Sequence, residues 1–276
     1  MPATAGDALQ HARARLAATS GNPRRDAELL LAYVLRCDLV ALLAHPERPL
    51  SASEAIQYES VLMRRLRSEP MQYITGQQEF YGLAFEVSPD VLIPRPETEH
   101  LVEAVLKHVK PNARIIDVGT GSGAIAVALA HALPQAQVTA VDVSPAALEV
   151  ARRNARRNEV SDRVTFLQSD LLVAVEGGDF DAVVSNPPYV ADGEVLEPQV
   201  SNYEPHAALY AGPTGLEVYM RLVPQARKLL NPHGWLMLEI GFGQQAGVET
   251  LLKGWNALSL VRDLQGIPRV IQAQKS

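Results

Sequence analysis

A single cysteine, Cys37, stands in a chain of 276 residues. One thiol closes no internal disulfide, and without a His-rich tract it assembles no structural zinc site, so no metal is expected. Such sparing use of cysteine fits a reducing cytoplasm. No run of eighteen apolar residues occurs, which predicts no membrane span. The first residues include Asp7 and lack a long apolar stretch, which predicts no secretory signal, and Arg13 with Arg15 is too little for a transit peptide. Lysine is missing before residue 76, where nine Arg face eight Asp and Glu. The remainder holds 16 basic and 23 acidic residues, and the whole chain carries a formal charge of −6. Proteins that grip duplex nucleic acid carry a concentrated basic face. The one local basic run, Arg152, Arg153, Arg156 and Arg157, reads as the solvated face of a helix. Repeats and low-complexity segments are also missing. What is present is an ordinary globular composition, 47% hydrophobic and 20% charged, long enough for one large or two modest domains.

Residues 1–75 read as a bundle of four or five short helices, with apolar residues at helical spacing in Ala27–Leu35 and Ala55–Leu66. Asn22-Pro23 and His45-Pro46 interrupt them, and Ser51 or Ser53 is placed to cap a helix with Glu54 in its first turn. This segment holds no catalytic cluster and suits docking. Residues 76–93 read as a β-hairpin linker: Phe80, Tyr81, Leu83, Phe85 and Val87 fall between and beyond Gly76 and Gly82. Residues 94–276 open with Pro94-Arg95-Pro96-Glu97-Thr98-Glu99 and the amphipathic run Leu101–Val109, with Pro96 suited to the first helical position. From Ala113 strand and helix patterns alternate: strands at 114–118, 137–141, 163–168, 181–185 and 235–240, helices at 124–132, 145–158 and 219–229. Two strands near 258–264 and 269–272 suit an antiparallel edge. The alternation predicts an α/β fold with a doubly wound, mostly parallel, Rossmann-like sheet behind a small helical domain.

Three strand ends carry the chemistry. The first runs into Asp117-Val118-Gly119-Thr120-Gly121-Ser122-Gly123 and then a helix. Alternate glycines permit the turn and a close ligand approach. A dinucleotide fingerprint spaces its glycines G-x-G-x-x-G and welcomes pyrophosphate. Here the spacing is G-x-G-x-G, and Asp117 repels phosphate while supporting an ammonium or an adjoining hydrogen-bond network. That favours S-adenosylmethionine over NAD. Asp142 ends the next strand, where a carboxylate accepts both ribose hydroxyls; NAD sites place an acid similarly. Asp170 ends the third, suited to an adenine amino group, with Leu171 as an apolar wall and backbone donor. One such acid alone is an ordinary turn or cap residue. Three in succession beside a glycine loop indicate a nucleoside site.

A fourth strand, Phe180–Ser185, stops on Asn186-Pro187-Pro188-Tyr189. That edge of an open α/β sheet is where ligands sit. The motif offers a side-chain amide, carbonyls with no competing proline N–H and an aromatic ring, which suits a planar NH2 group. Alone it is also compatible with a stiff turn.

The ordered set Gly119–Gly123, Asp142, Asp170 and Asn186–Tyr189 resembles the class I S-adenosylmethionine-dependent methyltransferases acting on planar amino groups. With Leu92–Glu99, Tyr203-Glu204-Pro205 and Asp263-Leu264-x-Gly266-x-x-Arg269, the chain is similar over its whole length to the HemK/PrmC family, the peptide chain release factor glutamine N5-methyltransferases. The resemblance implies S-adenosylmethionine as cofactor and the glutamine of the Gly-Gly-Gln motif in class 1 release factors as substrate, modulating translation termination. It implies that the helical bundle helps hold that substrate. Cofactor contacts fall to Gly119, Thr120, Gly121, Ser122, Gly123, Asp142, Asp170, Leu171 and Asn186. Substrate contacts fall to Asn186, Pro187, Pro188 and Tyr189, with Asn186, Pro187 and Tyr189 at the reaction centre. Some relatives have an aromatic residue at the position of Leu171, which here gives apolar contact without stacking. A carboxamide nitrogen is a poor nucleophile; the Asn186 oxygen and Pro187 carbonyl can accept its two N–H groups while Tyr189 packs on the plane. His206 is expected to shape the cleft, and Arg95 and Glu97 to pair structurally near the domain junction. A monomer acting in the cytoplasm without nucleic acid is expected. The rivals are a nucleic-acid amino methyltransferase (adenine N6 or guanine N2), which needs a flipped base and a basic track, and a cofactor-binding module that only docks a translation factor.

Overall fold

The computed structural model describes residues 4–276, which form two compact units. One comprises the residues up to Gly76 together with Leu196–Tyr203; the other comprises Gln77–Val195 and Glu204–Ser276.

The first unit contains α1 (Ala5–Leu16), α2 (Pro23–Leu35), α3 (Leu39–Ala44), α4 (Ala52–Leu66) and α5 (Met71–Thr75). Their starts are dictated locally. Thr4 with Asp7, and Ser51 with Glu54, each make a reciprocal capping box, and Asn22 caps α2 with Pro23 at its first position. Ala8, Ala12, Leu16, Leu30, Leu31, Leu62 and Ile74 fill the core. The Tyr58 hydroxyl reaches the Ala27 carbonyl at 3.1 Å within it. Leu196–Tyr203 adds a single turn, Pro198–Ser201, numbered α9 in chain order, and the Tyr203 hydroxyl donates to the Arg67 carbonyl at 2.8 Å.

The second unit begins with the hairpin β1 (Gln77–Phe80) and β2 (Leu83–Glu86). The sequence reading made this hairpin a linker, yet Phe80 and Phe85 are fully buried and meet edge to face in the core of this unit. Pro96–Thr98 makes a 3-10 turn before α6 (Glu99–His108), so Pro96 opens that turn and Glu99 opens the α-helix. The chain continues through β3 (Arg114–Val118), α7 (Ala124–Ala132), β4 (Gln137–Asp142), α8 (Pro145–Arg157), β5 (Val164–Gln168), β6 (Phe180–Ser185), and the short β7 (Val190–Ala191) and β8 (Tyr210–Gly212). It ends with α10 (Glu217–Leu229), β9 (Leu230–Glu239), α11 (Gln245–Leu251), β10 (Asn256–Arg262) and β11 (Pro268–Gln274).

Seven strands pair in the order β10-β11-β9-β6-β3-β4-β5. The five strands from β9 to β5 run parallel, and β11 and β10 are antiparallel at one edge, as the sequence pattern implied. Successive side chains point to opposite faces. Ile115, Ala182, Val184 and Met237 pack with α6 and α7, whereas Ile116, Val183, Leu236 and Leu238 pack with α10. Chain order runs outward from β3 to β5 and then returns to β6 on the other side of β3. This places a switch point, and hence a crevice, at the carboxyl ends of β3 and β6. The Asp263-to-Arg269 motif is the β10–β11 turn: Asp263 accepts from the N–H groups of Gln265 and Ile267 and pairs with Arg269 at 2.8 Å. Leu264, expected in a strand, is fully exposed in that turn.

Candidate active site at the strand ends

A cavity of about 310 Å³ opens at this sheet edge. Gly119, Gly121, Asp142, Asp170, Leu171, Asn186 and Pro188 line it, all read from the sequence as site residues. Gly119 and Gly121 take φ of +74° and +54°, and a Cβ on either would project into open space. Both conformations favour glycine, and the absent side chains leave backbone bare to a ligand. Gly123 is different in kind. Its Cβ position is 3.0 Å from Ala151, so it lets α8 pack against the loop. Thr120 and Ser122 are buried behind the loop, away from the cavity lining. The loop residues expected at the cofactor therefore divide into two that face the cavity and three that support them.

Asp117 shows how that support works. It is wholly buried; its Oδ2 accepts from the Thr120 hydroxyl at 2.6 Å and from the Ala126 N–H at 3.2 Å, while Oδ1 has no partner. Burial pushes its pKa up to about 7, opposed by those hydrogen bonds and reinforced by Asp142. Asp142 accepts from Gly121 N–H through Oδ2 at 2.8 Å and from Ser144 N–H through Oδ1 at 2.9 Å. Its pKa is raised by burial against these bonds. Each of its oxygens keeps a lone pair for a ligand hydroxyl. Asn154 ties the back of the loop down: Nδ2 donates to the Ser122 and Glu86 carbonyls, both at 2.9 Å, and Oδ1 accepts from Glu86 N–H at 2.7 Å. An Asn inside a helix pattern gave no sign of this role in the sequence.

Asp170 is ion-paired with Arg221, which also lines the cavity. Leu171 has a φ of +52°, a left-handed conformation costly for a branched side chain and typical of ligand clamps. Val91, Leu92, Pro205 and Tyr210 complete the apolar wall. His206 stacks on Tyr210 with ring centres 4.4 Å apart, in keeping with a cleft-shaping role. Arg95 pairs with the buried Glu204, which also accepts from Ile93 N–H at 3.1 Å.

In the Asn-Pro-Pro-Tyr segment, Asn186 and Pro188 face the cavity and Pro187 is buried. Asn186 Nδ2 donates to the Thr98 hydroxyl at 3.1 Å. The Tyr189 ring sits where a Cβ on Gly241 would come within 2.9 Å of it, and its carbonyl accepts from Gln244 Nε2 at 2.8 Å. Gln244 Nε2 also reaches the Gly215 carbonyl at 3.1 Å, and Oε1 accepts from Gly241 N–H at 3.1 Å. One glutamine thus holds the whole turn. The Tyr189 hydroxyl is pushed up to about 12, chiefly by burial and then by Glu239. No individual role was read in the sequence for Thr98, Glu239 or Gln244. Glu239 had a visible signal, since an acid ends the apolar strand Trp235–Leu238 as Asp142 ends β4.

Family models match residues 7–76 as a PrmC N-terminal domain and residues 96–203 as a methyltransferase small domain. A release factor glutamine methyltransferase of Koribacter versatilis is 48% identical over 97% of this chain and 96% of its own length. One of Geobacter sulfurreducens is 44% identical over 91% and 89%. Among solved structures, the T. thermophilus 16S rRNA N2 methyltransferase RsmC, in complex with AdoMet and guanosine, is 22% identical with a TM-score of 0.55, over 72% of this chain and 50% of that one. That likeness shows the fold. The identity with the two curated relatives shows more: this chain belongs to the release factor glutamine methyltransferase family.

Proposed function

We propose that this protein transfers a methyl group from S-adenosylmethionine to the side-chain amide nitrogen of the glutamine in the Gly-Gly-Gln motif of class 1 release factors. It does so as a cytoplasmic monomer that modulates translation termination. The observation that carries the reading is Asn186: it lines the same cavity as Gly119, Gly121, Asp142 and Asp170, with its Nδ2 committed to Thr98. The amide oxygen is then the group offered to an N–H of the substrate.

The residues fit the cofactor. The open backbone at Gly119 and Gly121 and the spare lone pairs of Asp142 suit a nucleoside, and the buried carboxyl of Asp117 behind the loop favours a cationic amino acid beside it. When bound, S-adenosylmethionine supplies a sulfonium-borne methyl group as the electrophile. Asp142 holds the ribose hydroxyls, Asp170 accepts from the adenine amino group, and Leu171 walls the ring. Thr120, Ser122 and Gly123 act by fixing the loop. Asn186 Oδ1 and the Pro187 carbonyl accept the two N–H groups of the substrate amide and orient its nitrogen. Pro188 and Tyr189 pack on the amide plane and exclude water. The N–CH3 bond forms as the S–CH3 bond breaks, leaving a neutral thioether; no strong base is needed, because the methylated nitrogen is then cationic and acidic and gives its proton to solvent as the product departs.

The acidic balance of the chain favours protein over nucleic acid as substrate. No helix of the described residues is long and apolar enough to cross a membrane. Labelled cofactor tests the reading against purified release factor, tRNA, rRNA and DNA. Label in the release factor is expected, and label in nucleic acid alone contradicts it. Asn186→Ala should still bind cofactor while transfer falls about a hundredfold or more. Unchanged methylation by that variant would remove Asn186 from the chemistry.

A further inference from the structure

The turn that leaves β5 is tied to α10 at two points. Arg221 Nη2 donates to Asp170 Oδ2, and Gln225 Oε1 accepts from the Leu172 N–H at 2.9 Å. Arg221 and Gln225 stand four residues apart on α10, so they leave the same face of the helix one turn apart. Leu172 is buried in one core with Leu222 and Ala226 of that helix. Between the two tethered residues lies Leu171, whose φ of +52° is left-handed. A residue other than glycine keeps that conformation only where its surroundings over-determine it. Two side chains of α10 do so here, one on each neighbour of Leu171.

The tethers take some polar groups and leave others. Asp170 Oδ2 and the Leu172 N–H are engaged, whereas Asp170 Oδ1 and the Leu171 N–H enter no hydrogen bond among the described residues. Asp170, Leu171 and Arg221 all line the cavity. An acceptor and a donor are thus left on consecutive residues at its wall. Adenine carries the complementary pair on its Watson–Crick edge, a 6-amino donor beside the N1 acceptor. Hypoxanthine reverses both, with a 6-oxo acceptor and an N1–H donor.

We propose that Arg221 and Gln225 are positioning residues that brace this turn, and that the brace sets the preference for an adenine base over its deaminated counterpart. The inference rests on the S-adenosylmethionine reading for the ligand and on the two tethers for the geometry. The Arg221 and Asp170 side chains are 52% and 57% exposed. An ion pair so open to water adds little to stability. Its effect is on direction: with Oδ2 held by Arg221, Oδ1 is the oxygen left for the base. Gln225 acts on the backbone. By taking the Leu172 N–H it fixes the chain beyond Leu171, and with it the neighbouring unpaired N–H.

The experiment measures, by titration calorimetry on the full chain, the Kd of S-adenosylhomocysteine and of S-inosylhomocysteine, which differ only at the amino edge of the base. Wild type should bind the adenine ligand about a hundredfold more tightly. Arg221→Ala and Gln225→Met should each reduce that ratio to about tenfold or less, because the acceptor or the donor is no longer held. Arg221→Lys keeps a cation for Oδ2 and should stay within about threefold of the wild-type ratio. A purely structural role would weaken both ligands equally and leave the ratio intact. Amide hydrogen exchange in the ligand-free protein reads the second tether without any ligand. The Leu172 N–H should be protected in wild type and exchange freely in Gln225→Met. A ratio that both Arg221→Ala and Gln225→Met retain, or Leu172 protection that survives Gln225→Met, would overturn the brace and leave the cofactor reading standing. A wild type that binds no S-adenosylhomocysteine would overturn the cofactor reading and the proposed selectivity with it.

Discussion

Replacing Asp117 by Asn preserves the shape of a fully buried side chain and removes its charge. The amide oxygen can still accept from Thr120 and Ala126, where Oδ2 accepts now, while the NH2 group takes the place of the unpartnered Oδ1. Folding raises this carboxyl from 3.8 to about 7, and each tenfold change in proton affinity is worth about 1.4 kcal/mol. The sign follows from proton binding. Between about pH 4 and 7 the native state holds a proton that the unfolded chain has lost, so stability falls as pH rises across that window. Above it the full penalty, about 4 kcal/mol, is present; at pH 5.5 about half of it is. A buried, unpaired NH2 group costs about 1–3 kcal/mol in return. Asp117→Asn is therefore expected to stabilise the cofactor-free protein by roughly 1–3 kcal/mol at pH 8, a few degrees in Tm, with the gain about 2 kcal/mol smaller at pH 5.5. Cofactor affinity should weaken roughly tenfold through loss of the negative charge behind the glycine loop. Thermal melts at the two pH values and titration calorimetry read both effects. A variant less stable at pH 8 than wild type, or one binding cofactor as tightly, would refute the reasoning.

Three further outcomes follow from packing. Gly123→Ala places a methyl group 3.0 Å from Ala151 at a φ of +81° and should cost about 1–3 kcal/mol in chemical denaturation; an unshifted midpoint contradicts the contact. Arg95→Ala leaves the Glu204 carboxylate buried with only the Ile93 N–H and should cost about 3–5 kcal/mol, whereas adding Glu204→Gln should recover part of the loss. If the double variant is no more stable than the single one, the pair is not what matters there. Gln244→Ala frees the Tyr189 and Gly215 carbonyls together, so kcat should drop about tenfold with cofactor Kd unchanged, and a Kd change alone would place Gln244 at the cofactor instead.

The sheet and the strand-end residues were legible because each obeys a local rule. Short apolar runs alternating with helical patterns marked the parallel strands, and the acids at the carboxyl ends of β4 and β5, together with the glycine loop after β3, announced the cavity. The supporting residues were less legible. Whether a loop residue faces a ligand or a neighbouring helix depends on where that helix passes, and Gly123 reads like Gly121 until Ala151 is placed beside it. Asn154 and Gln244 act through backbone atoms 32 and 55 residues away, which leaves no local trace. The hairpin read as a linker because its turn residues were plain, while the burial of Phe80 and Phe85 depends on α6 and α7. Leu196–Tyr203 could not be assigned to the helical unit from sequence for the same reason.

The most direct measurement of the central claim is the site of the methyl group. Release factor is incubated with this protein and deuterated S-adenosylmethionine, and its peptides are fragmented by tandem mass spectrometry. The account predicts one labelled methyl group on the side-chain nitrogen of the Gly-Gly-Gln glutamine, lost with Asn186→Ala. Label on another residue, or label that persists undiminished in that variant, contradicts it.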